Sequence, residues 1–181
     1  MRVISGLAKG KKLKTLDGMD VRPTTDRIKE AIFSSIHFYL PGKVFLDLFA
    51  GSGQMGIEAL SRGASKAIFV DESRKSINIV NENLKSTGIL EKAEIFNVSA
   101  KTFINSYNGK VDIAFLDPPY NTGLLEDAME NILPIMSNNG IIICESPFDA
   151  VLPENIGDFI GKKSSKYGKI KVTFYINKDV D

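Results

Sequence analysis

Apolar positions change their spacing several times along this 181-residue chain. Ile28, Ala31, Ile32, Ser35 and Ile36 recur at helical intervals after Arg22-Pro23-Thr24-Thr25-Asp26-Arg27, with Thr25 or Asp26 placed to cap the helix start. The same helix is expected to run to Pro41-Gly42, with His37 among its apolar residues. Short apolar runs then alternate with amphipathic segments. Val44-Phe45-Leu46 precedes a helix from about Met55, and Ala67–Val70 precedes a helix through Ile77, Val80 and Leu84. A strand near Ala93–Phe96 precedes a short helix near Thr102–Ile104, and Val111–Leu116 precedes a helix across Leu125–Ile132 and the strand Ile141–Cys144. Repeated strand-helix units predict an α/β fold with a mostly parallel central sheet and helices on both faces, because every crossover helix needs an apolar surface to pack on.

Both ends break this alternation. Arg2-Val3-Ile4-Ser5 and Lys11-Lys12-Leu13-Lys14, separated by Gly6 and Gly10, read as a small basic hairpin or two extended pieces. Phe159–Lys166 and Lys169–Ile176 flank Tyr167-Gly168 with no helix between them, which predicts an antiparallel hairpin closing one sheet edge. A boundary between an N-terminal extension (1–21) and the main domain (22–181) is expected near residues 20 to 25.

Composition leaves the class unchanged, at 43% hydrophobic and 25% charged residues. No segment resembles a signal peptide or a membrane span, so a cytoplasmic protein is expected. Cys144 is the single cysteine and lies in the apolar run Ile141-Ile142-Ile143, which suits a buried strand residue better than a nucleophile. One histidine and one cysteine supply no zinc-type ligand set, and no metal is expected. Charge is more informative. The net +1 conceals +5 over residues 1–29 and +6 over residues 161–178, leaving −10 elsewhere. Basic ends around an acidic body suggest a surface for a polyanion, a solvated charged face being the alternative.

Two stretches carry candidate chemistry. Asp47-Leu48-Phe49-Ala50-Gly51-Ser52-Gly53 joins a strand to a helix beginning Gln54-Met55-Gly56, where glycines let a ligand approach the backbone. Gly51-x-Gly53-x-x-Gly56 and Asp71 at the end of the next strand also meet the dinucleotide pattern. Asp47, however, would repel a pyrophosphate and suits a ligand bearing an ammonium and a sulfonium, and S-adenosylmethionine carries both together with a ribose. The second stretch, Asp117-Pro118-Pro119-Tyr120, follows a predicted parallel strand at its carboxyl end. An ionised Asp117 offers only acceptors, Pro118 has no N–H, and both prolines are stiff, so the tetrapeptide presents a rigid wall suited to an NH₂ group. Tyr120 adds a flat face on which an unstacked base can lie.

These stretches together resemble the class I amino-methyltransferases that modify nucleic-acid bases. With Arg2-Val3-Ile4-Ser5-Gly6, Lys9-Gly10, Arg22 to Arg27, Glu30-Ala31 and Tyr167-Gly168, the likeness extends to the RsmD family of bacterial small-subunit ribosomal RNA guanine-N2 methyltransferases. The resemblance implies a Rossmann-like methyltransferase fold and methylation of a guanine N2 amine in 16S ribosomal RNA by a monomer, on a partly or fully assembled small subunit. It implies that Asp47, Phe49, Gly51, Ser52 and Gly53 hold the cofactor, that Asp71 holds its ribose, and that Ser99-Ala100 meet its adenine edge. Arg2, Lys9, Lys11, Lys12, Arg22, Thr24, Thr25 and Arg27 are the candidate RNA contacts, with Arg22 to Arg27 open between RNA phosphates, the methionine carboxylate of the cofactor and a plain capped helix start. Family members often carry Phe where Tyr120 stands, which keeps the stacking face. Three other readings share parts of the pattern. A DNA adenine-N6 or cytosine-N4 methyltransferase usually needs a larger recognition region, a nicotinamide-dependent oxidoreductase gives the tetrapeptide no role, and a non-catalytic RNA-binding protein would not depend on Asp117.

Overall fold

The computed structural model describes residues 1–16 and 25–178. Arg22, Thr24 and the expected boundary at 21/22 lie outside the described residues. One eight-stranded sheet carries the fold: β1 (Val44–Asp47), β2 (Lys66–Val70), β3 (Ala93–Phe96), β4 (Val111–Leu116), β5 (Met136–Pro147), β6 (Asn155–Ile156), β7 (Phe159–Tyr167) and β8 (Ile170–Asn177). Their order is β3-β2-β1-β4-β5-β8-β7-β6. The first five pair in parallel, while β5 with β8, β8 with β7 and β7 with β6 are antiparallel. Helices α1 (Asp26–Ser35), α2 (Gln54–Ser61), α3 (Arg74–Thr87), α4 (Ala100–Ser106) and α5 (Leu124–Asn131) cover it.

Side chains alternate across each strand, so a run buried on both faces reads as continuously apolar. Phe45, Phe69, Ile113, Phe115 and Ile143 face one layer with Ile32, Phe33, Ile57, Leu60 and Val80. Leu46, Ile68, Ala114, Leu116, Ile142 and Cys144 face the other with Phe103, Leu125 and Met129. Cys144 is accordingly buried. Among the described residues no helix is long and apolar enough to cross a membrane.

The chain builds β1, β2 and β3 outward in one direction, then returns to place β4 on the other side of β1. Such a reversal opens a crevice beyond the carboxyl ends of the two central strands, since the loops leaving them diverge. Asp47 ends β1, Asp117 follows β4, and both lie at this crevice.

Some elements differ from the sequence pattern. α1 stops at Ser35 rather than continuing to Pro41, because the chain must turn back into β1. Ile36 leaves helical geometry, the N–H groups of Tyr39 and Leu40 both donate to its carbonyl, and Gly42 takes φ 76°. His37 is therefore exposed in a turn, edge-on to Phe38, and not inside a helix. β5 spans twelve residues where only Ile141–Cys144 was apolar enough to predict, since its two ends have ladder partners, Met136 with Val111 of β4 and Pro147 with Ile170 of β8. β6 has two residues and no pattern of its own.

At the N-terminus, Arg2 and Lys12 form a single antiparallel bridge, with the Val3 N–H donating to Lys11 and that of Gly10 to Val3. Val3, Ala8 and Leu13 are buried in the same cluster as the apolar residues of α1 and α2. The Glu58 carboxylate of α2 accepts the Ile4 and Ser5 N–H groups at 2.8 and 3.0 Å, and the Ser61 hydroxyl oxygen accepts that of Ala8 at 2.9 Å. Glu58 and Lys29 are fully buried 3.6 Å apart, Arg62 donates to Glu58 at 2.7 Å, and the Lys29 ammonium donates to the Arg2 carbonyl at 2.6 Å. A buried carboxylate between two cations satisfies charge and hydrogen bonds together, which is the condition for its tolerance in a core.

Candidate active site

Asp47 is 2% exposed, and its Oδ2 accepts the Gly56 N–H at 3.0 Å. Burial, reinforced by the nearby Asp71 and opposed by the Gly56 hydrogen bond, pushes its carboxyl up to about 7. The loop after it needs glycine for separate reasons. Gly51 (φ 54°) has open space where a Cβ would stand, which leaves its backbone approachable, and Gly53 (φ 76°) starts α2 in the left-handed region. A Cβ on Gly56 would lie 2.3 Å from Phe69 Cε1, so that glycine permits close packing of α2 on β2.

Asp71 is tied to the loop directly: one carboxylate oxygen accepts the Gly51 N–H and the other the Ser73 N–H, each at 2.8 Å. Each oxygen keeps a further lone pair for a hydroxyl donor. Asn83 on α3, buried and not singled out by the sequence, donates to the Ser52 carbonyl at 2.9 Å and to the Lys14 carbonyl at 3.0 Å, while its own Oδ1 accepts the Lys14 N–H. This amide joins the loop to the N-terminal segment. Phe49 packs against the second core layer. Gln54, first residue of α2, has a buried Oε1 with no hydrogen-bond partner. An orphaned acceptor beside an approachable glycine and two carboxylates fits a ligand bearing cationic and hydroxyl donors. Ser99 caps α4, its hydroxyl accepting the Thr102 N–H at 3.2 Å, and Ala100 lies against the second core layer just beyond the carboxyl end of β3.

The tetrapeptide leaves β4 beside β5, where Leu116 pairs with Cys144 and the next residues are Asp117 and Glu145. Glu145 is 1% exposed and had no motif to reveal it, since it follows an apolar run like any strand residue. Burial first, then the negative charges of Glu145 and Asp47, hold the Asp117 carboxyl well above the usual carboxylate range. Asp117 is therefore not the freely ionised acceptor expected from composition. It is one of three acids meeting at the crevice. Pro118 is buried, Pro119 exposed and Tyr120 42% exposed, the Tyr120 hydroxyl lying 3.5 Å from Glu145 Oε1. A cleft of about 90 Å³ opens here, walled by Pro118, Tyr120, Glu145, Pro147, Ala150 and Leu152.

The candidate RNA residues are distributed differently. Lys9, Lys11, Lys12 and Arg27 are exposed, and Arg2 is exposed but ion-paired with Asp26 at 3.1 Å. Thr25 is the N-cap of α1, its side chain accepting the Ile28 N–H.

Residues 1–176 match the family model described as Conserved hypothetical protein 95. Over 184 residues the chain is 39% identical to "Putative rRNA methyltransferase YlbH" of Bacillus subtilis, covering 97% of this chain and 98% of that protein. It is 36% identical over 162 residues to "Ribosomal RNA small subunit methyltransferase D" of Haemophilus influenzae, covering 86% and 84%. The chain belongs to the RsmD family. A solved structure, "Putative methyltransferase yhhF from Escherichia coli", superposes with a TM-score of 0.89 at 30% identity over 99% of both chains. RsmD-family membership makes the sheet a class I methyltransferase fold and the chain a methyltransferase, so the Gly51-Gly53-Gly56 loop is not that of an oxidoreductase.

Proposed function

We propose that this chain transfers a methyl group from S-adenosylmethionine to the exocyclic N2 amine of a guanine in 16S ribosomal RNA of the small subunit. The observation that carries the reading is the meeting of Asp117, Glu145 and Asp47 behind a two-proline wall at the sheet's switch point. Relatives named small-subunit rRNA methyltransferases support the RNA substrate.

S-adenosylmethionine, when bound, supplies an electrophilic methyl on a sulfonium. Asp47 would face its cationic methionine end, Gly51 and Gly53 would let it approach the backbone, Asp71 would accept from the ribose hydroxyls, and Ser99-Ala100 would border the adenine. Asp117 and the Pro118 carbonyl take the hydrogens of the guanine amine. Holding both hydrogens to acceptors draws the nitrogen lone pair out of conjugation and stabilises positive charge as the nitrogen attacks. Glu145 adds negative field behind Asp117, and the raised proton affinity of Asp117 suits it to receive the proton that the methylated amine sheds. Tyr120 stacks on the extruded base.

The test is methyl transfer by the purified protein, with labelled S-adenosylmethionine, to small subunits from cells lacking the protein. Label recovered in N2-methylguanosine of 16S RNA is the expected result. With DNA from the same cells offered in a parallel reaction, label in its N6-methyladenine or N4-methylcytosine, or none in RNA, overturns the proposal.

A further inference from the structure

We propose that the loop formed by residues 148–152, between β5 and β6, engages the RNA strand at the target nucleotide, Phe148 taking the stacking place that the extruded guanine vacates. The inference rests on the base-methylation reading above and assigns it a second recognition element apart from the tetrapeptide.

Position comes first. Pro147, Ala150 and Leu152 wall the same cleft as Tyr120 and Glu145, so this loop is the rim of the pocket that receives the base. Phe148 is 44% and Val151 97% exposed, two large apolar side chains in water on the same loop, each next in the chain to a residue that walls the cleft. Enzymes acting on a nucleobase must unstack it, and an apolar side chain entering the gap offsets part of that cost.

A wedge works only if it is stiff, and the loop is pinned on both sides. The Phe148 N–H donates to the Lys169 carbonyl at 3.0 Å, the Ala150 N–H to the Pro147 carbonyl at 3.1 Å, and the Tyr175 hydroxyl to the Pro153 carbonyl at 2.8 Å. The Lys171 ammonium donates to the Ala150 carbonyl.

Charge then selects the occupant. The Lys166 ammonium lies 3.9 Å over the Phe148 ring, Lys169, whose carbonyl accepts the Phe148 N–H, is exposed beside it, and Lys162 and Lys163 are exposed farther along β7. Residues 161–178 hold six lysines and no acid, and the loop itself contributes one, Asp149. Beyond Lys166 a second cleft, of about 250 Å³, is lined by Lys166, Tyr167, Thr25 and Arg27. Cations and aromatic rings thus run from the base pocket past Phe148 to the start of α1. Alternation of rings with ammonium groups is the pattern that binds a single strand, rings for the bases and cations for the phosphates.

The experiment measures kcat and KM for small subunits lacking the methyl group, KM for S-adenosylmethionine, and thermal midpoints, for wild type, Phe148→Ala, Phe148→Leu, Phe148→Trp and Phe38→Ala. Phe38 is 97% exposed on the turn after α1 and serves as the control. Loss of one stacked ring predicts a fall of about 5- to 150-fold in kcat/KM for subunits with Phe148→Ala. Phe148→Leu falls similarly, Phe148→Trp recovers most of the loss, and the KM for S-adenosylmethionine and the midpoints stay at wild-type values. Subunit kcat/KM for Phe148→Ala equal to wild type, or equal losses in Phe38→Ala, overturns the inference. No transfer by wild type overturns the functional reading and this inference together, whereas normal wild-type transfer with an unaffected Phe148→Ala overturns this inference alone.

Discussion

Replacing Asp47 by Asn separates what this residue does for binding from what it costs the fold. Its carboxyl is raised from an ordinary 3.8 to about 7, chiefly by burial. At 1.36 kcal/mol per pH unit, ionising it in the apoprotein costs on the order of 4 kcal/mol. The sign follows from proton binding. Below pH 3.8 folded and unfolded states both hold the proton and the cost is absent; it grows as pH rises toward 7 and is complete above. Asparagine keeps the oxygen that accepts the Gly56 N–H, at 3.0 Å from Asp47 Oδ2, and removes the charge. Asp47→Asn is therefore expected to be more stable than wild type by up to about 4 kcal/mol at pH 8.5, falling to less than half of that at pH 5. For a chain of this size that corresponds to roughly 8–16 °C in thermal midpoint at the higher pH. The same variant should bind S-adenosylmethionine more weakly, since it loses the charge proposed to face the ammonium and sulfonium. Thermal melts of the apoprotein across pH 5 to 8.5, with calorimetric titration of the cofactor, read both effects. A variant no more stable than wild type at pH 8.5, or a stability gap that does not shrink toward pH 5, refutes the reasoning.

Other consequences follow from the same structure. Asp117→Asn should lower kcat by about 10²–10³ with cofactor affinity largely kept. Because the Asp117 carboxyl is held well above the usual range by burial, Glu145 and Asp47, the wild-type pH–rate profile should lose activity as pH falls at a point above that of an ordinary carboxylate. Gly56→Ala places a methyl against the Phe69 ring and should destabilise the protein by about 1–3 kcal/mol in urea melts. Glu58→Ala leaves buried Lys29 without its carboxylate, takes one of two carboxylate partners from Arg62, which keeps Glu30, and frees the Ile4 and Ser5 N–H groups. A loss of about 3–5 kcal/mol, with faster proteolysis of the N-terminal segment, is expected.

How much of this was legible in the sequence depends on how local each feature is. The order of strands and helices from Val44 to Cys144 showed in apolar spacing because burial on both faces leaves continuous runs. Asp47, Asp71 and Asp117 could be located because each closes a run of that kind. Glu145 and Asn83 could not, since each acts across elements distant in the chain: Glu145 meets Asp117 through strand pairing, and Asn83 meets Ser52 and Lys14 through packing. The same holds for the end of α1, set by the turn into β1, and for the C-terminal end of β5, which is strand only because β8 lies alongside. The excess of cations at both ends was plain in the sequence, but their division into an N-terminal part docked on α2 and a C-terminal part flanking Phe148 needed coordinates.

The central claim, that the acid cluster at Asp117 methylates guanine N2 in small-subunit RNA, is tested most directly in cells. Nucleosides of 16S RNA from cells lacking the protein, and from cells complemented with wild type or Asp117→Ala, are quantified by mass spectrometry. One equivalent of N2-methylguanosine should disappear on deletion, return with wild type and not return with Asp117→Ala. An unchanged N2-methylguanosine content on deletion would contradict it.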